Sequence, residues 1–354
     1  MRKQRDSGVE LLRIIAMLLI IIGHCLGDDL GSVLSKVEFC SLNYYVLWLM
    51  EAYAVVGTNC FVLISGYYLP DSNISYRKIL KLWGLVFFYS IVTYVISVVI
   101  GINTISIKAL ITALLPVLNR NWWFVSVYFC LYLLSPFLNR YVSSTTTTEL
   151  RKLVIILLVL FSVVPIIFPI KDTFSSGGGT GIVWFITLYF IAVYIRRIED
   201  NIKLSSKALA GLFVILIFAM FTSKIVIAHV TSKMLGSPMG TSLLYQNNSV
   251  LNVCAATMLF LALKKVNFTR KVGKAICYIA SFSFSVYLIH NTPFLNRWIW
   301  KVTEVINLDN IGIAVVQIIV ISILLYLSAM MIELLRRFLV SIIIKGKGIF
   351  VKGE

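Results

Sequence analysis

VELLRIIAMLLIIIGH, Val9–His24, is the stretch that decides how this chain folds. With Cys25 and Leu26 it continues an apolar run long enough to cross a bilayer as a helix, which takes about 17–25 residues. Three ionisable side chains interrupt it: Glu10, Arg13 and His24. Arg13 and His24 are eleven residues apart. At about 100° per residue that is three turns plus about 20°, so the two share a helix face about 16 Å apart along the axis. Glu10 lies one turn before Arg13 and can pair with it, and Asp28 lies one turn beyond His24. An ionisable group inside a span costs about 2.5–3.5 kcal/mol by insertion scales unless it faces the bundle interior or a polar cavity. One reading has Arg13 snorkelling to the inner headgroups while His24 caps the outer end of the helix. That suffices for Arg13 alone and explains less well why His24 shares its face. The other reading makes the stripe the lining of a site.

The rest of the chain repeats the apolar theme. Of 354 residues, 59% are hydrophobic and 13% charged, with a mean hydropathy of +0.93. A soluble domain carries about 25% charged residues, so lipid must cover what ionised groups cannot. Ten apolar runs of spanning length lie at 9–27, 46–69, 79–101, 121–141, 151–169, 182–197, 206–228, 248–265, 275–294 and 310–334. The sixth is short and opens after Gly177–Gly179, which suits a tilted or broken helix. Residues 104–118 are too interrupted to span and read as a short amphipathic helix at an interface. The fold expected is all-α: a polytopic membrane protein of about ten transmembrane helices. Residues 1–338 form a single membrane domain, followed by a basic cytoplasmic tail, 339–354.

The net charge of +17 invites a nucleic-acid reading, but Lys and Arg collect in cytoplasmic loops because they resist translocation. Alternate loops hold 23 basic residues against 8. The richer set contains the N-terminus, Arg77, Lys78, Lys203 and Lys271, and the poorer set contains Lys36 and Lys171. Both termini are therefore expected in the cytoplasm, as an even number of spans requires, and no nucleic acid is expected as a partner. Met1–Arg5 before the first apolar run mimics a signal peptide. The run lacks small residues at a cleavage site and contains Arg13 and His24, so it reads as an uncleaved span. Five of the six cysteines fall in apolar segments, where a thiol packs as a small hydrophobe, and Cys40 is the exception. Their spacing suggests neither a disulfide framework nor a metal site. His229 reads as an ordinary residue at the outer end of the seventh span.

Several segments, in order, resemble the acyltransferase-3 family of integral membrane O-acyltransferases. Val9–His24 resembles its opening helix, with a basic residue, ten residues, then His. CFVLISGYYL (Cys60–Leu69) is similar to its F-x-x-S-G segment, and YRKILKLW (Tyr76–Trp83) to the basic stretch that follows. NWWFVSVYFCLYLLSP (Asn121–Pro136) resembles the Trp-Phe helix ending in Tyr-Leu-x-x-Pro, and FSFSVYLIHNTP (Phe282–Pro293) the late S-x-Y-L-x-H-x-P helix. There are departures. Glu10 stands where Asp is usual, Asn121 and Trp122 precede Trp123, and the basic stretch lacks its usual Arg-x-x-Pro.

The resemblance implies transfer of an acyl group, usually acetyl from acetyl-CoA, to a hydroxyl of an extracytoplasmic polysaccharide or envelope glycan. It implies a multi-pass protein of the cell membrane with lipids, acetyl-CoA and the glycan as partners. Acetyl-CoA is a substrate, so no bound cofactor or metal is expected. His24 becomes the catalytic residue, as general base or transient acyl carrier; an imidazole of pKa about 6.5 suits proton removal from a sugar hydroxyl. Arg13, with Arg77 and Lys78 of the basic stretch, is expected to hold donor phosphate. Glu10, Asp28, Ser65, Trp123, Tyr287 and His290 are candidates for the substrate side. Ser65 with Gly66 reads equally well as a close helix contact. Trp123 could belong to an interfacial aromatic belt. His290 could be a core histidine satisfied by Ser285 and Tyr287. Two other functions stand against this one: a proton-coupled transporter using the stripe as a relay, and a glycan polymerase or flippase.

Overall fold

The computed structural model describes residues 5–27, 30–71, 75–169, 174 and 176–346. Asp28 and Lys171 lie outside the described residues. Among these residues the chain is helical throughout, with no strand. The helix expected at the N-terminus is α1, Ser7–Leu26, whose cap is Asp6: its carboxylate accepts from the backbone N–H groups of Gly8 and Val9. The helices that follow are α2 (Leu42–Ala54), α3 (Val56–Tyr68), α4 (Tyr76–Val99), α5 (Ile107–Leu114) and α6 (Trp123–Ser144). Next come α7 (Thr147–Leu158), α8 (Val164–Ile167), α9 (Ile182–Ile198), α10 (Ser206–Leu235) and α11 (Val250–Lys264). The chain ends with α12 (Arg270–Ala280), α13 (Ser283–His290), α14 (Asn296–Trp300) and α15 (Ile311–Gly346).

Seven of these stretches are long and apolar enough to cross a membrane: α1, α2 with α3, α4, α7 with α8, α10, α12 with α13, and α15. The three remaining runs of the sequence reading are also helices. Of these, α9 has 17 residues, α11 has 15, and α6 is 22 residues long but includes Asn139 and Arg140. Most of α9 is buried, packed on α3, α6 and α7, so protein rather than lipid meets its sides. Two expected single spans are broken. The second bends at Val55 between α2 and α3, and the ninth breaks at Ser281 and Phe282 between α12 and α13. The interfacial segment is α5, which lies against α4 and exposes Ile107, Leu110, Ile111 and Leu114.

The stripe on α1 is explained by where α1 sits. It packs on α2, α3, α11, α12, α13 and α15, which makes it the central helix and turns its polar positions toward protein. The approach of α3 needs glycine. A Cβ on Gly57 would come within 2.7 Å of the Ala16 carbonyl oxygen on α1, and one on Gly66 within 2.9 Å of Tyr189 Cα on α9. Gly66 thus serves a close helix contact. The Ser65 hydroxyl donates back to the Phe61 carbonyl at 3.0 Å. On the outside, α10 and α15 expose Leu, Ile, Val, Phe and Met, as lipid-facing helices do.

Candidate active site

Toward one end of α1 the polar stripe opens into a cleft of about 620 Å³. Four cations line it, Arg5, Arg13, Arg196 and Lys264, together with Asp6, Glu10 and Asp71. Each has a structural reason to be there. Arg5 and the cap Asp6 immediately precede α1, Glu10 and Arg13 lie in its first turns, and Arg196 and Lys264 stand at the ends of α9 and α11. Arg13 Nε is 3.3 Å from Glu10 Oε2, an ion contact not aligned as a hydrogen bond. Arg196 donates to Asp71 at 2.7 Å, and Lys264 is 3.3 Å from Glu199 and 4.0 Å from Asp6. The Tyr67 ring holds both: the Arg196 guanidinium is 5.5 Å and the Lys264 ammonium 5.1 Å from its centroid. Four positive and three negative side chains in one cleft suit an elongated anion that exchanges with the carboxylates.

A second, narrow cavity lies beside His24, walled by Phe61, Trp123, Phe124, Phe284 and Tyr287. Phe284 lines both cavities, so a single aromatic ring stands where they meet. Trp123 and Tyr287, two of the candidates for the substrate side, line this cavity together with His24.

The central feature is a pair of imidazoles. His24 Nδ1 is 3.1 Å from His290 Nε2, with ring centroids 5.2 Å apart. His290 Nδ1 is 2.7 Å from the Val286 carbonyl oxygen, one turn back on α13. A carbonyl oxygen only accepts, so His290 Nδ1 carries a proton. In the neutral pair His290 Nε2 is then bare and accepts from His24 Nδ1–H. His24 Nε2 is left as the free lone pair of the chain, with no partner among the described residues. Trp300 stands edge-on to both rings, 6.2 Å from His24 and 6.3 Å from His290, and is buried. Its indole N–H has no hydrogen-bond partner among the described residues.

Some expectations change here. His290 is not satisfied by Ser285 and Tyr287: its two ring nitrogens meet Val286 and His24. Arg77 and Lys78 are exposed at the start of α4 and do not belong to the cleft wall, where Arg5, Arg196 and Lys264 stand instead. Ser65 is absent from both linings. Sequence gave no sign of Trp300, because 276 residues separate it from His24 and only the fold joins them.

Comparison with known proteins adds one finding. The family model described as an acyltransferase domain, that of the acyltransferase-3 family, matches residues 6–332. No curated protein and no solved structure matches the chain.

Proposed function

The chain belongs to the acyltransferase-3 family, and on that premise we propose that it moves an acetyl group from acetyl-CoA to a hydroxyl of an extracytoplasmic glycan. The observation that carries this reading is the relay from Val286 through His290 to His24, which leaves one directed lone pair beside a narrow aromatic-walled cavity.

The cationic cleft fits the coenzyme's phosphates, with Arg13 as the bidentate partner. The pantetheine arm then runs along the face of α1, past Phe284, for about 16 Å. His24 Nε2 takes the proton of the acceptor hydroxyl as its oxygen attacks the thioester carbonyl. The tetrahedral intermediate collapses with cleavage of the C–S bond. The imidazolium returns its proton to the departing thiolate, giving an ester and free coenzyme. If His24 first takes the acyl group itself, the same lone pair attacks and the hydroxyl arrives second. His290 acts by holding His24 in the required tautomer.

In the same reading the protein crosses the cell membrane ten times, α6, α9 and α11 completing the seven longer spans, with both termini in the cytoplasm. The cleft then faces cytoplasmic coenzyme, and His24 lies toward the outer leaflet where the glycan waits.

The test is ester content of the surface glycan, measured by NMR in cells carrying wild-type or His24→Gln protein at matched membrane levels. Glutamine keeps the size and hydrogen bonding but cannot take a proton near neutral pH. Loss of about 10²–10⁴-fold in transfer rate is expected. Wild-type esterification in His24→Gln sinks both the base and the acyl-carrier mechanism.

A further inference from the structure

The space beside His24 is small enough to choose what enters it. The cationic cleft holds about 620 Å³, and past Phe284 it gives way to a cavity of about 30 Å³ at the imidazole. One water molecule needs about 10–15 Å³ on the same measure. The cavity therefore has room for a carbonyl and a methyl group, and not for a chain. Met17, Ile20, Phe61 and Phe124 give it apolar walls, which suit a hydrocarbon end and not a sugar.

Whether a longer group can force its way in depends on which walls can move. Phe124, on α6, is packed against rings from three other helices. Its centroid is 6.4 Å from that of Phe61 on α3, 5.3 Å from Phe185 on α9 and 5.7 Å from Tyr287 on α13. Tyr128, one turn along α6, stacks on it at 5.9 Å. Phe185 is fully buried, and Phe61, Phe124 and Tyr287 nearly so. Moving Phe124 would thus disturb ring contacts on four helices at once, and a close-packed interior has no slack for that. Phe284 differs: it is half-buried and lines both spaces, so it is the ring with room to turn.

We propose that this cavity is the acyl subsite and that Phe124, with Phe61 beside it, is the end wall that limits the transferred group to two carbons. The proposal rests on the acyl-transfer reading and adds to it the residues that set donor length. The thioester carbonyl is presented to His24 Nε2, the methyl group meets the Phe124 and Phe61 rings, and the pantetheine arm trails back past Phe284. An added methylene has nowhere to go without displacing a fixed ring. One methylene in such a pocket is worth about 10–200-fold in discrimination.

Membranes from cells that make the protein carry both enzyme and acceptor. They are given acetyl-, propionyl- or butyryl-CoA labelled in the acyl group, and base-labile label on the glycan is counted against membranes without the protein. In the wild type, transfer from propionyl-CoA should be about 10–200-fold slower than from acetyl-CoA, and butyryl-CoA slower still. Phe124→Ala and Phe61→Ala each remove a ring from the end wall and should raise butyryl relative to acetyl transfer by about tenfold or more. Phe124→Leu, which shortens the side chain and keeps the site apolar, should shift the ratio the same way and covers the case in which the alanine variant does not fold. Each ratio is taken within one protein, so the amount of folded enzyme cancels. Equal transfer from acetyl- and butyryl-CoA by the wild type overturns the proposal without any variant. So does an acetyl preference left unchanged in Phe124→Leu. Absence of label from every donor, acetyl-CoA included, is a different failure: it sinks the acyl-transfer reading itself, and the length limit with it.

Discussion

At the scale of single residues, the polar stripe of α1 divides into two tasks. Arg13 stands in a cleft with three other cations, so its replacement should act on donor binding. Arg13→Ala should raise the KM for acetyl-CoA by about tenfold or more, with a smaller change in kcat. Arg13→Lys should recover part of the loss, because charge survives and the paired hydrogen bonds do not. Steady-state kinetics with varied donor checks this, and an unchanged KM in Arg13→Ala leaves only snorkelling. His290 has the opposite profile. It reaches the chemistry through His24, and losing the partner that holds a catalytic histidine in its working tautomer costs up to about 10⁴-fold. His290→Ala should therefore lower kcat by up to that factor and leave the donor KM alone. A shifted KM with intact kcat would mean that His290 binds substrate rather than positions His24. How the site could be read beforehand follows the same division. Arg13 and His24 were legible because one helix fixes their relation at eleven residues. The partnership of His24 with His290 was not, because it depends on α1 and α13 meeting. Arg77 and Lys78 matched a motif, yet they begin α4 outside the cleft wall.

At the scale of helices, the break between α12 and α13 sets the position of His290, and α15 holds that break. Arg337 donates to the Ser281 carbonyl at 2.9 Å and stacks over the Phe282 ring at 4.2 Å. Glu333, almost fully buried, accepts from Arg336 at 2.7 Å, from Arg337 at 2.7 Å and from the Tyr89 hydroxyl on α4 at 2.6 Å. One carboxylate thus joins α4, α15 and the start of α13. Removing one member of a buried charged group costs about 3–5 kcal/mol, because the partners stay behind uncompensated. The arginines are partly exposed, which places Glu333→Ala near the lower figure. Thermal unfolding in detergent should show that loss, and Glu333→Gln, which keeps an acceptor, should lose less. An unchanged melting temperature in Glu333→Ala would show that the cluster holds nothing together. Periodicity could locate α15 but not this clamp. A hydropathy pattern reports where apolar residues are, and the clamp consists of the few charges that interrupt it. The same limit explains why the second and ninth runs read as single spans. Val55 and Phe282 continue the apolar pattern, a lone serine at 281 does not end it, and no glycine or proline stands at these three positions.

For the whole molecule, composition gives the membrane class, since a chain with 13% charged residues cannot clothe itself for water, and the apolar runs of spanning length give the helices. The number of crossings is a finer matter. Seven stretches meet a length and apolarity standard, while α9 and α11 are short. Short helices are tolerated at the centre of a bundle, because neighbouring protein covers ends that lipid would otherwise meet. The cleft argues for counting them. Arg5 just precedes α1 and Arg13 lies near its beginning, whereas Arg196 and Lys264 come from the ends of α9 and α11. Cations gather on the cytoplasmic side. For these three helices to bring theirs to one cleft, α1 must lead away from it and α9 and α11 must lead into it. Ten crossings meet that condition with both termini inside. Single cysteines placed at Lys36, Lys203 and Lys271 in a background without native cysteines distinguish the possibilities. A thiol reagent that does not cross the membrane should label position 36 in intact cells and reach 203 and 271 only after permeabilisation. If positions 36 and 271 label from the same side, the ten-crossing arrangement fails. Position 203, between α9 and α10, then separates the alternatives: labelling in intact cells would place the end of α9, and Arg196 with it, on the outer face. The cationic cleft could not then meet cytoplasmic coenzyme, and its role as the donor site would fall with the topology.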